Sequence, residues 1–327
     1  MLLDKESSLL ELQEAIRLSE RQVRDALCNT APGLDKLTGY LSQSMGKGVR
    51  TQLLLTAAAN PEGEVPEDAA KAAAALELLH MATLVHDDVI DDAATRRGMP
   101  SLHQKFGTKS AVICGDYLLS LSLVMLADMD RQKLKELEGY IPLAPRLSRA
   151  LSAICRGEYT QHINVGNLDL DLPTYLRIIS GKTAMLFFIA AYIGGVLGGE
   201  PPQAARSLGR FGRCLGMLFQ IADDCKDYEW TEALAQKPVA NDIKIGVVTL
   251  PLILAMAKDP NLRAGAQAVM QTQSELGPFI QAVRDAGGSD AARVVAARYA
   301  RWGEQALRGV STEKRKSLLK ILHSVNL

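Results

Sequence analysis

Residues 69 to 86 read AAKAAAALELLHMATLVH, and a stretch this rich in alanine and leucine favours the α-helix. The same signature recurs along the chain. Leu9, Leu12, Ile16, Val23 and Leu27 fall on steps of three, four and seven, the spacing of an amphipathic first helix. Ser110 to Leu126 is mostly apolar, and helical patterns run from about Arg146 to His162, near 174–198 and 203–228, and from Thr249 (TLPLILAMA) towards the end. Loops interrupt them at Asn60–Pro66, Tyr140–Pro142, Asn164–Pro173 and the polar stretch Glu229–Val247. Sustained apolar/polar alternation is missing and aromatics are only 5%, so strands are minor. No linker or short-period repeat stands out. The expectation is an all-α chain, one domain over 1–327, its helices packed around a central space.

With 47% hydrophobic residues in 327, the chain has enough apolar matter for a large core, which excludes global disorder. Lys+Arg and Asp+Glu balance at 37 each, so no basic excess points to nucleic acid or to a strongly anionic membrane. The five cysteines, at 28, 114, 155, 214 and 225, are scattered, odd in number and form no CxxC pair. They read as core thiols of a reducing, cytoplasmic compartment, not as a zinc site. The N-terminus MLLDKESSLLELQEAIRLSER lacks the basic and apolar regions of a secretory signal. The longest uncharged run, Thr183–Gly199, is short for a membrane span and ends in GGVLGG; it reads as a buried core helix, with no transmembrane span.

Charge is concentrated in two places. In HDDVIDDAATRRG (His86–Gly98) the aspartates 87, 88, 91 and 92 stand three and four apart, side by side if the helix continues through them. Unpaired, such neighbours repel by roughly a few tenths of a kcal/mol per pair. The plain alternative is a solvated helix end. Two features oppose it: the run into the cluster is apolar (Leu78, Leu79, Met81, Leu84, Val85), and FQIADDCKDYEW repeats the arrangement with Asp223, Asp224 and Asp227 after a second apolar run. Two such carboxylate faces, set opposite each other, would hold magnesium, which takes one or two carboxylates together with water and substrate phosphates. The matching guest is a diphosphate, with Arg96 and Arg97 beside it as guanidinium forks.

From about Lys47 to Pro251 the chain then resembles the trans-isoprenyl diphosphate synthases. The likeness is carried by GKGVRT, ALELLHMATLVHDDVIDDAATRRGMPSLH, GDYLL, GEYTQ, SGKTAMLF, GMLFQIADDCKDY and KPVANDIKIGVVTLPLI, in that order. The resemblance implies an all-α isoprenoid synthase bundle around a deep central cavity, usually dimeric. It implies three magnesium ions on Asp87, Asp88, Asp91, Asp223, Asp224 and Asp227. Arg96, Lys182 and Lys237 would bind the allylic diphosphate, and Lys47, Arg50, His80 and Arg97 the isopentenyl diphosphate. Thr183 and Gln220, with Lys182, would stand near the reacting carbons. The implied reaction is head-to-tail condensation. The allylic C–O bond ionises, the isopentenyl double bond attacks the cation, and a proton is lost.

Some positions depart from the family pattern. Gly48 stands for an arginine and Thr51 for a proline, which thins the isopentenyl site; Ile245 stands for a glutamate and Val247 for a lysine. Lys226 replaces an apolar residue within the second motif, where helical geometry turns it aside. One helical turn before Asp87, Ala82 and Thr83 stand where short-chain members carry a bulky floor, which predicts long products of about C30–C40, with C20 as the competitor. Met81, Phe187 and Phe188 either line that tunnel or simply pack as core. Glu158 and Gln161 either line the cavity or make buried hydrogen bonds; His86 has the position of a group that orients a metal ligand. His103 has a family-like position and either packs or acts directly, whereas His162 and His323 read as structural or exposed. The alternatives are a geranylgeranyl- or farnesyl-type synthase, a catalytic subunit of a heteromeric synthase, and a terpene cyclase on the same fold.

Overall fold

In the computed structural model, which describes residues 8–44, 46, 48–132, 142–228, 241–272 and 276–325, the chain opens with a short strand, β1 (Leu9–Glu11), before α1 (Leu12–Cys28). The helical pattern counted from Leu9 therefore begins one turn early. Leu9 to Glu11 instead pair antiparallel with β2 (Glu64–Pro66), a tertiary partner that local propensity does not register. Between them lie α2 (Asp35–Leu41) and α3 (Val49–Ala58). After β2 come α4 (Glu67–Ile90), the hairpin β3 (Thr95–Arg96) and β4 (Met99–Pro100), α5 (Leu102–Phe106) and α6 (Thr108–Gln132). Next are α7 (Leu143–His162), α8 (Leu172–Ile179), a π-helical turn at Ser180–Ala184, α9 (Met185–Leu197) and α10 (Pro202–Lys226). The chain closes with α11 (Asn241–Lys244), α12 (Leu250–Lys258), α13 (Leu262–Thr272), α14 (Leu276–Asp285), α15 (Gly288–Ala306) and α16 (Thr312–His323). The all-α expectation holds.

The chain divides into two compact units. The first comprises 1–148, 189–209 and 309–318; the second comprises 149–188, 210–308 and 319–327. In the first, α4 is the axis. Ala72 to Ala75, Leu76, Leu78 and Leu79 are fully buried, and α4 packs chiefly against α6, α1 and α3. Each buried leucine contributes roughly 1.5–3 kcal/mol relative to exposure. The glycine patch that ends the long apolar run explains itself here. A Cβ on Gly194 would lie 2.2 Å from the Leu54 carbonyl oxygen, and one on Gly198 2.5 Å from that of Ala58, so the end of α9 rides backbone-to-backbone on α3.

Among the described residues two helical stretches are long and apolar enough to cross a membrane by length and composition, Thr108–Met129 and Leu172–Leu197. The second has 67% of its apolar window buried inside the protein, the behaviour of a core helix; the first, on α6, has 33%. Among the cysteines only Cys114 and Cys225 are buried, while Cys28 and Cys155 are exposed. The reading of all five as core thiols is corrected on that point: Cys28 ends α1, and Cys155 faces outward on α7.

In the second unit, α12 packs on α15, with α13 and α14 against them. Asp171 caps α8, accepting from the Thr174 amide at 2.8 Å, with Pro173 in the first turn. At the π turn two helices touch through glycine. A Cβ on Gly157 would come within 2.5 Å of the Lys182 nitrogen, and one on Gly181 within 2.6 Å of the Ala153 carbonyl. Replacing Gly194 by valine is expected to cost roughly 1–3 kcal/mol or more by overpacking. Urea denaturation measures the loss, and an unchanged midpoint would contradict the backbone contact.

Candidate active site

The first acidic motif sits where a helix ends. Asp87 and Asp88 lie in the last turn of α4, Asp91 is its C-cap, and Asp92 takes a left-handed φ of 47°. The helix thus stops short of Asp92, although Asp87 and Asp91 remain one turn apart, with the Asp91 amide donating to the Asp87 carbonyl at 2.8 Å. Anions are disfavoured at this negative end of the helix dipole by about 0.3–1 kcal/mol each. Arg96 answers part of that charge. Its Nε donates to Asp88 at 2.9 Å, and a second guanidinium nitrogen closes on the same oxygen. Burial pulls the Arg96 pKa down, but the bond to Asp88 and the charges of Asp87 and Asp91 hold it above its ordinary value.

The adjacent arginines part company because of the hairpin. Arg97 and Gly98 form its two-residue turn, and both have positive φ, 53° and 79°, as primed hairpin turns require. Arg96 on β3 reaches the acidic motif. Arg97 runs back to Gly46, where a Cβ would lie 2.5 Å from its guanidinium. His103, 7% exposed, braces the loop: its Nε2 lies 3.2 Å from Asp92 and its Nδ1 3.0 Å from Ser101 Oγ. His86 lies 3.5 Å from Asp116.

A second cationic group gathers in the same unit. Arg50 Nη1 donates to His80 Nε2 at 3.0 Å. Burial pushes the Arg50 pKa down to about 10, with Glu77 opposing and Arg97 adding to the fall. Burial, then the charges of Arg50, Arg97 and Arg96, hold His80 well below the usual imidazole range, so the ring is neutral. Because Nε2 accepts, the proton sits on Nδ1, and that buried nitrogen has no protein partner. Arg50, His80 and Arg97 are therefore brought together as the sequence predicts. Glu77 is an addition: it is 8% exposed, and burial raises its pKa while Arg50 and Arg97 lower it. Lys47 lies outside the described residues, as does Lys237.

In the second unit, the other acidic motif ends α10. Asp224, 3% exposed, takes a hydrogen bond on each oxygen: Tyr175 Oη donates to Oδ2 at 2.5 Å and Gln220 Nε2 to Oδ1 at 2.8 Å. Thr183 in turn donates to Gln220 Oε1 at 2.6 Å. Burial pushes the Asp224 pKa up to about 7 against those two bonds, and Asp223 and Asp227 add to the rise. Asp227 accepts from the Asp242 amide at 3.3 Å; burial raises both carboxyls, and Asp227 raises Asp242 further. Lys182 pairs with Glu158 at 2.8 Å, a hydrogen-bonded contact between two half-buried side chains. Lys226 does not turn aside. Its ammonium stands 3.5 Å from Asp223, because residues three apart share a helical face; both groups are more than half exposed, which makes the pair weak. Lys244, at the end of α11, lowers the Asp227 pKa by its charge.

Of the chain-length positions, Ala82 is 2% exposed within the core cluster of α1, α4 and α6, and Thr83 is half-buried with its hydroxyl on the His80 carbonyl at 2.8 Å. Met81 belongs to the same core. Phe187 is fully buried against Phe219, ring centroids 5.5 Å apart, which is the core alternative of its two readings.

Sequence reasoning missed Glu77, Tyr175 and Asp242 as site residues. Glu77 had a signal, a lone acid one turn before His80 in an alanine–leucine helix. Tyr175 had none, since its meeting with Asp224 is made by the fold.

Among the described residues no three His, Cys, Asp or Glu side chains converge as a ready metal cage. The donor set still fits magnesium. All of it is carboxylate oxygen, placed at two negative helix ends, and this ion completes its shell with water and phosphate.

The helical architecture with these paired polar groups defines an isoprenoid synthase fold. The crystal structure of heptaprenyl diphosphate synthase from Staphylococcus aureus superposes with a TM-score of 0.85 at 29% identity, over 97% of this chain and 98% of that one. Residues 31–284 match the polyprenyl synthetase family model. Heptaprenyl diphosphate synthase component 2 of Bacillus subtilis is 32% identical over 310 residues, 94% of this chain and 86% of the relative. Geranylgeranyl diphosphate synthase of Methanosarcina mazei is 31% identical over 294 residues, 88% of this chain and 86% of the relative. The chain belongs to the polyprenyl synthetase family and is a trans-prenyltransferase of isoprenoid biosynthesis.

The tautomer of His80 is open to direct test. Nitrogen-15 NMR of the ring is expected to show a neutral imidazole protonated at Nδ1 at about pH 7, far above its depressed pKa. A charged ring, or a proton on Nε2, would contradict the assignment.

Proposed function

We propose that this enzyme condenses isopentenyl diphosphate head-to-tail with an allylic diphosphate and releases an all-trans polyprenyl diphosphate of about C30–C40. The observation that carries the two-substrate reading is the Arg50–His80–Arg97 group. Its neutral His80 keeps a buried N–H donor without a partner, and Arg50 and Arg97 are cations beside it. A diphosphate oxygen accepts that proton, and the arginines match its charge. A cyclase has no use for a second diphosphate pocket.

In this reading Asp87, Asp88, Asp91, Asp223, Asp224 and Asp227 hold the magnesium ions, three with diphosphate bound, and both acidic motifs are needed for the same step. Bound magnesium supplies neutralisation of the departing pyrophosphate. Arg96, Lys182 and Lys237 hold the allylic diphosphate; Lys47, Arg50, His80 and Arg97 hold the isopentenyl one. Lys182 comes to this role from Glu158, and Arg96 from Asp88, so each exchanges one anion for another. Thr183 and Gln220, already linked by a hydrogen bond, present oxygen dipoles to the cationic carbons. The proton lost at the end passes to the released pyrophosphate.

Small residues at Ala82 and Thr83 favour the long product. The relative from B. subtilis is named as a heptaprenyl synthase component, and the relative from M. mazei makes geranylgeranyl diphosphate the competing product. The word component also marks a heteromeric enzyme as the alternative to a homodimer. Either pairing has apolar surface to use: Ile113 and Val124 on α6 and Tyr159 on α7 are each more than half exposed. We place the enzyme in the cytoplasm, without a membrane span or nucleic-acid partner.

Purified protein with magnesium, labelled isopentenyl diphosphate and an allylic primer is expected to yield elongated diphosphates. Cyclic hydrocarbon from primer alone would overturn the reading, and silence until a second subunit is added would establish the heteromer. His80→Ala should raise the KM for isopentenyl diphosphate about ten- to hundredfold, the cost of one charge-assisted contact at 1.5–3 kcal/mol, and leave the primer KM near wild type. Thr83→Tyr should shorten the product; an unchanged chain length would remove Thr83 from the tunnel.

A further inference from the structure

A groove in the second unit has no part in the chemistry above. It measures about 1110 Å³ and lies between α7, α8, the π turn, α10 and α15. Its composition is two-sided. Arg156, Arg177, Arg210 and Arg213, all exposed, reach it from three helices, and no Asp or Glu is among the described residues that line it. Arg177 donates to the Thr174 hydroxyl and Arg213 to the Ser180 hydroxyl, each at 2.7 Å, and the Arg177 charge also reaches Asp171 at the start of α8, outside the groove lining. The floor is apolar: Leu172, Leu176, Met185 and Met217. Trp302 and Tyr299 stand edge to face at 5.1 Å and form one wall.

Guanidinium forks over an aliphatic trough select a ligand with a phosphate head and an apolar chain. Two features narrow the choice. Arginines from three helices, with no carboxylate in the described lining, favour a head of more than one charge, which a diphosphate carries. The trough is a single groove of small-molecule size, which suits one chain and not the paired chains of a phospholipid. A compound of that description is made by this same enzyme.

We propose that the groove is a second, non-catalytic binding site for a prenyl diphosphate, its diphosphate on Arg156, Arg177, Arg210 and Arg213 and its chain along Leu176, Met185 and Met217. The identity of the ligand rests on the prenyltransferase activity, whereas the site itself rests on the groove. Ser180 and Gly181 line the groove, and the next two residues of the same π turn are Lys182 and Thr183, so an occupant touches the turn that presents the catalytic side chains.

The test is calorimetric titration of the full-length protein with geranylgeranyl diphosphate in EDTA, where turnover is absent and failure of the groove cannot be confused with failure of the reaction. Saturable binding is expected. It should weaken at least tenfold in Arg156→Ala/Arg177→Ala and in Leu176→Trp, which fills the trough without altering charge, and it should survive Arg96→Ala. Melting temperatures check the fold of each variant; should the larger changes unfold the protein, the exposed single Arg177→Ala carries the test, with a smaller but measurable loss. Absence of binding, or binding that the groove variants leave intact, would overturn the proposal. So would cosedimentation with phosphatidylcholine/phosphatidylglycerol vesicles that needs the same arginines while geranylgeranyl diphosphate does not bind, since that pattern belongs to a membrane surface.

Discussion

Negative charge gathered at the negative end of a helix is the constraint on which this enzyme's site is built. It occurs twice. α4 and α10 each run through apolar core and finish in aspartates, where the peptide dipoles oppose anions and neighbouring carboxylates oppose one another. Neighbouring side chains answer part of that charge. Asp88 takes Arg96, Asp223 takes Lys226, and Asp224 takes Tyr175 and Gln220. Burial, and then the neighbouring carboxylates, still raise the pKa values of Asp224, Asp227 and Asp242. A hard cation held by these carboxylates together with a diphosphate would relieve the remainder, which is why the proposed function needs metal and substrate together.

Glycine and the hairpin give these charges their positions. Gly157 and Gly181 let two helices meet through backbone at the π turn, which leaves Lys182 facing Glu158 and Thr183 facing Gln220. Such widened turns recur at functional sites because they re-aim side chains within a continuous helix. In the hairpin, the left-handed φ of Arg97 sends consecutive arginines to different partners. Two neighbours of like charge then serve two groups, one at Asp88 and one beside Arg50 and His80, and do not crowd a single one.

Much of this was legible in the sequence, for identifiable reasons. α4, α6, α7 and α10 announce themselves by composition and period, and both acidic motifs by spacing after apolar runs. What escaped depends on contacts distant in the chain. Tyr175 meets Asp224 across 49 positions, and β1 pairs with β2 across a loop and three helices. Lys226 was misplaced by counting turns without weighing attraction: three residues apart suffices for it to fold back on Asp223. The cysteines were misjudged because average burial of a residue type says nothing of the face on which one copy stands. Gly46 shows the converse. A glycine before a lysine carries no strong signal by itself, yet the space it leaves is occupied by Arg97.

In the proposed function Asp224 is a buried carboxylate that magnesium would have to find ionised. Burial raises its pKa to about 7, which sets the sign: below that value a proton sits on the carboxyl, above it the charge is present and costs stability unless a cation binds. The most direct measurement is the melting temperature with and without magnesium and inorganic pyrophosphate, at about pH 6 and about pH 8, for wild type and Asp224→Asn. The account predicts a clearly larger rise for the wild type at the higher pH, and a small rise with little pH dependence for the variant. An equal rise at both pH values, undiminished in Asp224→Asn, would contradict it.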